Sequence, residues 1–214
     1  MSYIKDSFEI VNGAISKDVC RLTSRALIMA KDITLHSSNL KESDFPCRDD
    51  MVDNSFSRYS PLVLDSLSDT LVKDVVEQVV GEKVIPTYTH CRLYYNGAVM
   101  YRHVDRSSSE ISASLCLSID NDHDWPLMME DKKKQTITVN QKPGDMIVYN
   151  GNELAHWREP YEGKLQVNAF FFYVRENGDR TKLKYDTRPM LGLGAEDRKY
   201  QHDEQFKLFP VEDK

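Results

Sequence analysis

From Val84 to Val174 the chain is written in short β-rich runs broken by turn residues: "IPTYTHCRLYY", "SASLCLSI", "WPLMME", "QTITV", "DMIVYN" and "KLQVNAFFFYV". Runs this short, rich in β-branched and aromatic residues and bounded by Gly, Pro, Asn and Asp, read as strands. A chain that places helices first and six or more such strands after them folds as a helix-supported antiparallel barrel or sandwich. This pattern constrains the architecture more than any other feature of the sequence.

The helices come from the first 83 residues. "FEIVNGAI" alternates like a short strand that ends in a turn. "SKDVCRLTSRALIMAKDI" follows behind a Ser16 cap, with Val19, Leu22, Ala26, Leu27 and Ala30 near helical spacing. Residues 36 to 58 are polar and without periodicity, and read as loop. In "SPLVLDSLSDTLVKDVVEQVVG", Ser60 and Pro61 are placed to start a helix and Gly81 to stop it. Its expected apolar face is Leu64, Leu67, Leu71, Val75 and Val79. After Arg175 the chain turns polar again, as a surface wrap or a mobile tail. A length of 214 residues suits one domain: a helical support region (1–83), a barrel (84–174) and a C-terminal extension (175–214).

Charge and cysteine usage narrow the function classes. The formal net charge is −6, with Lys and Arg scattered rather than gathered into a stripe, so the footprint of a general nucleic-acid binder is missing. Cys20, Cys47, Cys91 and Cys116 form no C-x-x-C pair, and "MSYIKDSFEIVNG" lacks the apolar core of a signal peptide. A reduced, cytoplasmic protein is therefore expected. No stretch approaches the roughly 18 uninterrupted apolar residues of a membrane span.

The residues that carry chemistry stand in two strand-bounded segments. "YYNGAVMYRHVD" places His103 two residues before Asp105, and in an extended segment both side chains point to the same face. "KPGDMIVYNGNELAHWREPYEG" launches a strand from a Gly-Asp turn and sets His156 at the entry to the next one. Two imidazoles and a carboxylate on one side of a metal leave the opposite side open, the arrangement suited to non-haem Fe(II) that must bind a cosubstrate and oxygen together. His103, Asp105 and His156 are the candidate metal ligands and catalytic residues. His36, His90, His123 and His202 are expected to be structural or surface histidines.

Residues 84 to 174 resemble the catalytic barrel of the 2-oxoglutarate and Fe(II)-dependent dioxygenases, particularly the prolyl-4-hydroxylase-like branch. "YYNGAVMYRHVD" is similar to that branch's Y-x-x-G-x-x-x-x-x-H-x-D, with Tyr94, Gly97, His103 and Asp105 on the motif positions. "HWREPYEG" resembles H-x-x-x-P-x-x-x-G, with Gly163 one position early. The resemblance implies a mainly β fold with supporting helices (α+β), a double-stranded β-helix of the jelly-roll or cupin-like kind. It implies an oxidoreductase that uses Fe(II), 2-oxoglutarate and O2 to hydroxylate an unactivated C–H bond, releasing succinate and CO2. A small-molecule or peptidyl substrate follows from the same source, a prolyl group or another amino acid first. The oligomeric state is not legible.

One position departs from the family. Where the branch carries an Arg or Lys for the far carboxylate of 2-oxoglutarate, this chain has Gln166. Two bases stand nearby. Arg158 shares strand parity with His156 and offers a planar fork suited to a carboxylate; Lys164 follows the turn glycine. Arg158 is the preferred anchor, with Lys164 second, and the resemblance puts Tyr94 in a phenolic hydrogen bond to the cosubstrate, with Arg92 on the same strand face. Arg106 and Glu110 either grip substrate or form a salt bridge across a loop. Trp125 and Trp157 either line the pocket mouth or fill the barrel, and "AFFFYV" reads as core packing. The missing base at 166 also admits a cupin-like metal-binding or sensory barrel without oxygenase activity. A zinc hydrolase on the same triad requires a general base that the sequence does not nominate.

Overall fold

The computed structural model describes residues 2–39, 51–120, 124–199 and 207–208. Its strands form two antiparallel sheets. The larger has six strands in the order β1-β8-β5-β10-β3-β2, made of β1 (Phe8–Val11), β2 (Ser55–Tyr59), β3 (Val84–Tyr95), β5 (Ile111–Ile119), β8 (Met146–Tyr149) and β10 (Leu165–Arg175). The smaller has five in the order β11-β4-β9-β6-β7, from β4 (Met100–Val104), β6 (Leu127–Glu130), β7 (Thr136–Val139), β9 (His156–Arg158) and β11 (Lys207–Leu208). This is the double-stranded β-helix, mainly β with supporting helices. Among the described residues no helix is long and apolar enough to cross a membrane.

The alternation of side chains along each strand of the larger sheet makes two separate apolar layers. One face, with Leu93, Ala113, Met146, Val148, Phe171 and Tyr173, packs under the helices. The other, with Tyr94, Ile147 and Tyr149, faces the barrel interior together with Met100, Leu127 and Met129 of the smaller sheet. Because the residue period is two, the run "AFFFYV" is split between the layers. Phe171 and Tyr173 are core as expected, whereas Phe170 and Phe172 line a cavity.

After a short first helix, α1 (Ser2–Asp6), helix α2 (Lys17–Ser37) starts where expected, with Ser16 Oγ accepting from the Val19 amide at 3.4 Å. Its buried face is Cys20, Thr23, Ser24, Leu27 and Lys31, one step round from the expected face, and Leu22 is 72% exposed. The second long helix runs as α3 (Leu62–Leu67), a π-helical turn (Ser68–Val72) and α4 (Lys73–Val80). Gly81 closes it in the left-handed region (φ 79°), its amide donating to Glu77 O at 2.9 Å. The π turn inserts one residue, so the buried face passes from Leu64 and Leu67 to Val72 and Val76 instead of Leu71 and Val75. Leu71 is accordingly 46% exposed. Each fully buried Leu or Val on this face contributes about 2 kcal/mol of hydrophobic stabilisation.

One expectation for the flanks is corrected, and between two alternatives for the other the structure decides. The segment read as loop over 36–58 supplies the edge strand β2, whose polar sequence is accommodated because its solvent side has no neighbour; β1 closes the other edge. The part of that segment over 40–50, together with Cys47, His123 and His202, lies outside the described residues. Beyond Arg175 the chain is a surface wrap rather than a mobile tail as far as residue 199. Leu183, Asp186 and Arg188 are buried, and Arg188 donates to Thr87 O of β3 at 3.0 Å. Residues 200–206 and 209–214 lie outside the described residues. Cys20, Cys91 and Cys116 are buried free thiols, each pushed up by burial, Cys20 to about 11 and the other two to about 12.

Candidate metal centre

His103 near the end of β4 and His156 at the start of β9 are direct cross-strand partners. A register shift between Met100 and His103 adds a residue to β4, and such a bulge re-aims the side chains after it. The two imidazole rings lie with centroids 4.2 Å apart. Asp105 follows in the turn after β4, its amide donating to Gly151 O at 2.7 Å. Asp105 Oδ1 is 3.6 Å from His103 Nε2 and 3.8 Å from His156 Nε2, and one ligand atom from each of the three residues falls within 4.8 Å of the others.

The surroundings of the triad orient each ligand. His103 Nδ1 lies 2.7 Å from Tyr101 O and His156 Nδ1 3.0 Å from Leu154 O. A carbonyl only accepts, so each Nδ1 carries a proton and each Nε2 is the ring nitrogen turned to the shared point. Ser112 Oγ donates to Asp105 Oδ2 at 2.7 Å, leaving Oδ1 for the same point. Burial, then the neighbouring His103, lowers the His156 pKa to about 4, which keeps that ring neutral. Burial by itself raises the Asp105 carboxyl, but His156, His103 and the Ser112 hydrogen bond outweigh it and hold Asp105 below its ordinary value. Two imidazoles and one carboxylate, each with an outer hydrogen bond, are the donor set of a divalent-metal site.

Several residues of this centre escaped the sequence reading. Gly151 packs against it so closely that an added Cβ would lie 2.5 Å from Asp105 Oδ2, which rules out any side chain there. Asn152 Nδ2 donates to Arg106 O at 2.7 Å and Asp105 O at 3.2 Å, tying down the turn that carries the carboxylate. Tyr149, fully buried, brings its hydroxyl to 3.3 Å from His156 Nε2. Strand parity signals Tyr149 and Ser112, since Ile147 and Tyr149 face inward on β8 and Ser112 is the first inward position of β5. Nothing local signals Gly151 or Asn152.

At the inner end of the barrel, Arg158 occupies the next inward position of β9 after His156 and is 1% exposed. It donates to Trp125 O and, at 3.3 Å, to Gln141 Oε1, and its guanidinium lies 4.7 Å above the Trp125 ring. Among the described residues no carboxylate pairs with it, and burial lowers its pKa. Tyr94 and Tyr149 are near enough to favour its charge. Gln166, opposite Tyr94 on β10, donates to Asn168 Oδ1 at 2.7 Å, leaving Gln166 Oε1 and Asn168 Nδ2 buried without partners among the described residues. Lys164 is not brought to this region. Its side chain is exposed and its backbone amide donates to the Asp120 carboxylate. Trp125 is barrel filler around Arg158, in edge contact with Tyr94 at 4.7 Å, and Trp157 sits outside beneath Arg102.

A cavity of about 400 Å³ opens from the triad. Tyr94, Arg92, Met100 and Tyr149 line its inner part, and Arg92 Nη1 donates to Ser55 Oγ at 3.0 Å. Phe170, Phe172, Tyr88 and Tyr59 form a stacked wall, with successive ring centroids 6.5, 4.3 and 5.4 Å apart. His90, expected to be structural, joins this wall beside Phe170. Arg106 lines the cavity with its guanidinium 4.1 Å above Tyr88, held by Asp186 through bonds of 3.0 and 2.7 Å. Glu110 instead pairs with Arg175, across the sheet end, so it is a structural salt bridge.

No model of a known protein family matches this sequence, and no curated protein matches it. Solved structures do. The chain is similar to a prolyl-4-hydroxylase from Pseudomonas putida at 18% identity, over 82% of this chain and 96% of that one, with a TM-score of 0.59. AviO1 from Streptomyces viridochromogenes Tue57 is 18% identical over 81% and 91%, with a TM-score of 0.62. HygX from Streptomyces hygroscopicus, solved with nickel and 2-oxoglutarate bound, is 12% identical over 82% and 85%, with a TM-score of 0.61. At these identities the likeness establishes the fold.

Proposed function

We propose that this chain is an Fe(II)- and 2-oxoglutarate-dependent dioxygenase that hydroxylates an unactivated C–H bond, with O2 consumed and succinate and CO2 released. The observation that carries the reading is the pairing of the His103, Asp105, His156 donor set with a fully buried arginine, Arg158, one inward step along the same strand and without a carboxylate partner among the described residues. A buried cation left unpaired is costly, and an anionic ligand relieves that cost. The prolyl-4-hydroxylase and the 2-oxoglutarate-bound HygX among the similar structures support the same reading.

Fe(II) in the triad supplies the redox chemistry that couples oxidative decarboxylation of 2-oxoglutarate to insertion of one oxygen atom into substrate. The protein's own residues do the rest. The two Nδ1 hydrogen bonds fix both imidazole planes, and Ser112 fixes Asp105 with one oxygen turned inward. Arg158 receives the far carboxylate of the cosubstrate, and Tyr94, on the cavity wall opposite Gln166, supplies a phenolic hydrogen bond. Gln166 and Asn168, with a free acceptor and a free donor, complete the polar inner end without the family's charge at position 166. The wall of Phe170, Phe172, Tyr88 and Tyr59 excludes water from the substrate side and positions the target carbon.

The deciding experiment is anaerobic titration of the Fe(II)-loaded protein with 2-oxoglutarate, followed by the metal-to-ligand charge-transfer band of a bidentate 2-oxo acid. The band is expected to grow to one equivalent and to decay with succinate formation when air is admitted. Iron binding with no response to 2-oxoglutarate would overturn the proposal in favour of a metal-binding barrel without oxygenase activity.

A further inference from the structure

At the end of the cavity lined by Tyr59, Arg106 and Arg198, three arginines (Arg106, Arg188 and Arg198) meet two carboxylates (Asp65 and Asp186) among the described residues. Asp186 there is 0% exposed, with a backbone held in the left-handed region (φ 53°). Its oxygens accept two bonds from Arg106 and one from Tyr59 Oη at 2.7 Å. Arg188 is committed elsewhere, 3.6 Å from Asp65 and bonded to the carbonyls of Thr87, Tyr185 and Leu193. Among the described residues, Arg198 has no carboxylate beyond the Asp186 that Arg106 already engages. It lines the cavity, with its guanidinium 4.9 Å from the Tyr59 ring centroid. Its Nε is 3.5 Å from the already engaged Asp186 Oδ2 and is buried without a hydrogen-bond partner among the described residues.

Three features define what this end accepts. The guanidinium is held against an aromatic face, which limits its motion, and a guanidinium lining a cavity is suited to a carboxylate. Between it and the triad runs the apolar wall of Tyr59, Tyr88, Phe172 and Phe170. The segment from Thr181 to Arg198 is pinned by buried Asp186 and Arg188 and brings Arg198 into the cavity lining, so the wall ends on a cation suited to a terminal anionic group.

Resting on the oxygenase reading above, we propose that the prime substrate is a small free carboxylic acid with an apolar or ring-bearing body. Its carboxylate binds Arg198, its body lies along the Tyr59 to Phe170 wall, and its target carbon faces the triad. Arg198 is then the residue that selects for the anion, and Arg106 is a positioning residue that holds Asp186 and Tyr88 in place.

The test uses the full chain loaded with Zn(II), which binds the same donor set without redox turnover. 2-Oxoglutarate is titrated first by calorimetry. Phenylacetate, 3-phenylpropionate, L-phenylalanine and L-proline are then each compared with the corresponding primary amide, with and without 2-oxoglutarate. At least one acid is expected to bind about tenfold or more tighter than its amide. Arg198→Gln is expected to erase that preference while leaving the amide and 2-oxoglutarate affinities unchanged, and Arg198→Lys to keep part of it. The unchanged 2-oxoglutarate affinity also reports that the variant is folded. Equal binding of acid and amide, retention of the preference in Arg198→Gln, or no acid binding up to about 10 mM overturns the proposal. Tighter binding of the capped peptide Ala-Ala-Pro-Ala-Ala than of every free acid does so too. Failure of 2-oxoglutarate to bind sinks the oxygenase reading separately, because the Arg198 comparison is still read in its absence.

Discussion

Replacing Arg158 with methionine tests the cosubstrate anchor and gives opposite signs for two readings of that residue. The guanidinium is 1% exposed, makes two hydrogen bonds to neutral acceptors and has no carboxylate partner among the described residues. Without ligand it is therefore a buried charge only partly compensated. A methionine of similar length removes that desolvation cost and gives up two hydrogen bonds worth about 1 kcal/mol each, so the unliganded variant should stay within about 2 kcal/mol of the parent. With 2-oxoglutarate bound, the same change leaves the far carboxylate buried and unpaired, at about 2 to 4 kcal/mol, or roughly 30- to 1000-fold in Kd. The assay pairs calorimetric titration of 2-oxoglutarate, with the metal saturated and oxygen absent, with thermal unfolding with and without ligand. The parent should gain Tm on adding 2-oxoglutarate and the variant should not. Lys164→Ala, at an exposed turn position, should change the same Kd by less than about 1 kcal/mol. A variant Arg158→Met that binds 2-oxoglutarate normally, beside a crippled Lys164→Ala, would refute the reasoning and require the chain after Pro160 to turn back into the barrel.

His103→Ala, Asp105→Ala and His156→Ala should each abolish stoichiometric Fe(II) binding and succinate production while circular dichroism stays unchanged, and a stoichiometric iron content in any of them would remove that residue from the ligand set. Ser112→Ala frees Asp105 Oδ2 from its 2.7 Å bond and should weaken metal affinity by about 10- to 100-fold, read by competition with a chromophoric chelator. Gly151→Ala should do at least as much damage, because its Cβ would sit 2.5 Å from Asp105 Oδ2; wild-type metal affinity in this variant would show that the loop yields. Asp186 has its pKa lowered: burial raises it, but Arg106, Tyr59 and Arg198 more than offset that. A depressed folded-state value means that its contribution is fully present above the ordinary carboxylate range and is lost as pH falls through the folded value. Asp186→Asn should thus cost about 3 kcal/mol by urea unfolding at neutral pH, with the gap to the parent closing below about pH 4.

Legibility divides along a physical line. Where a signal is carried by residues adjacent in sequence, it was readable: the Ser16 cap, the Gly81 stop, the strand series from Val84 and the H-x-D pair. Where it depends on an inserted residue, it was not. The helix from Leu62 to Val80 was correctly bounded, yet its buried face moved by one position because the π turn at Ser68–Val72 breaks the period that the sequence was read against. The run "AFFFYV" behaved similarly. Its composition marks a buried strand, but only the two-sided sheet, with helices on one face and a cavity on the other, decides that Phe170 and Phe172 face ligand while Phe171 and Tyr173 face helices.

The sequence by itself determined the fold class and the three metal-ligating candidates, because these follow from residue type and local spacing, and its resemblance to the dioxygenases marked Gln166 as a departure. Tertiary structure alone decided which of the two nearby bases was buried in the barrel. Arg158 continues the inward parity of His156 on β9, while Lys164 falls on the exposed turn past Pro160. It also decided that residues 181–199, readable in sequence as a surface wrap or a mobile tail, pack back onto the barrel and bring Arg198 into the cavity lining. Asp186 and Arg188 are ordinary surface residues by composition. They become buried only because Arg106, Tyr59 and Asp65, all distant in sequence, supply the opposite charges and hydrogen bonds that make burying them affordable.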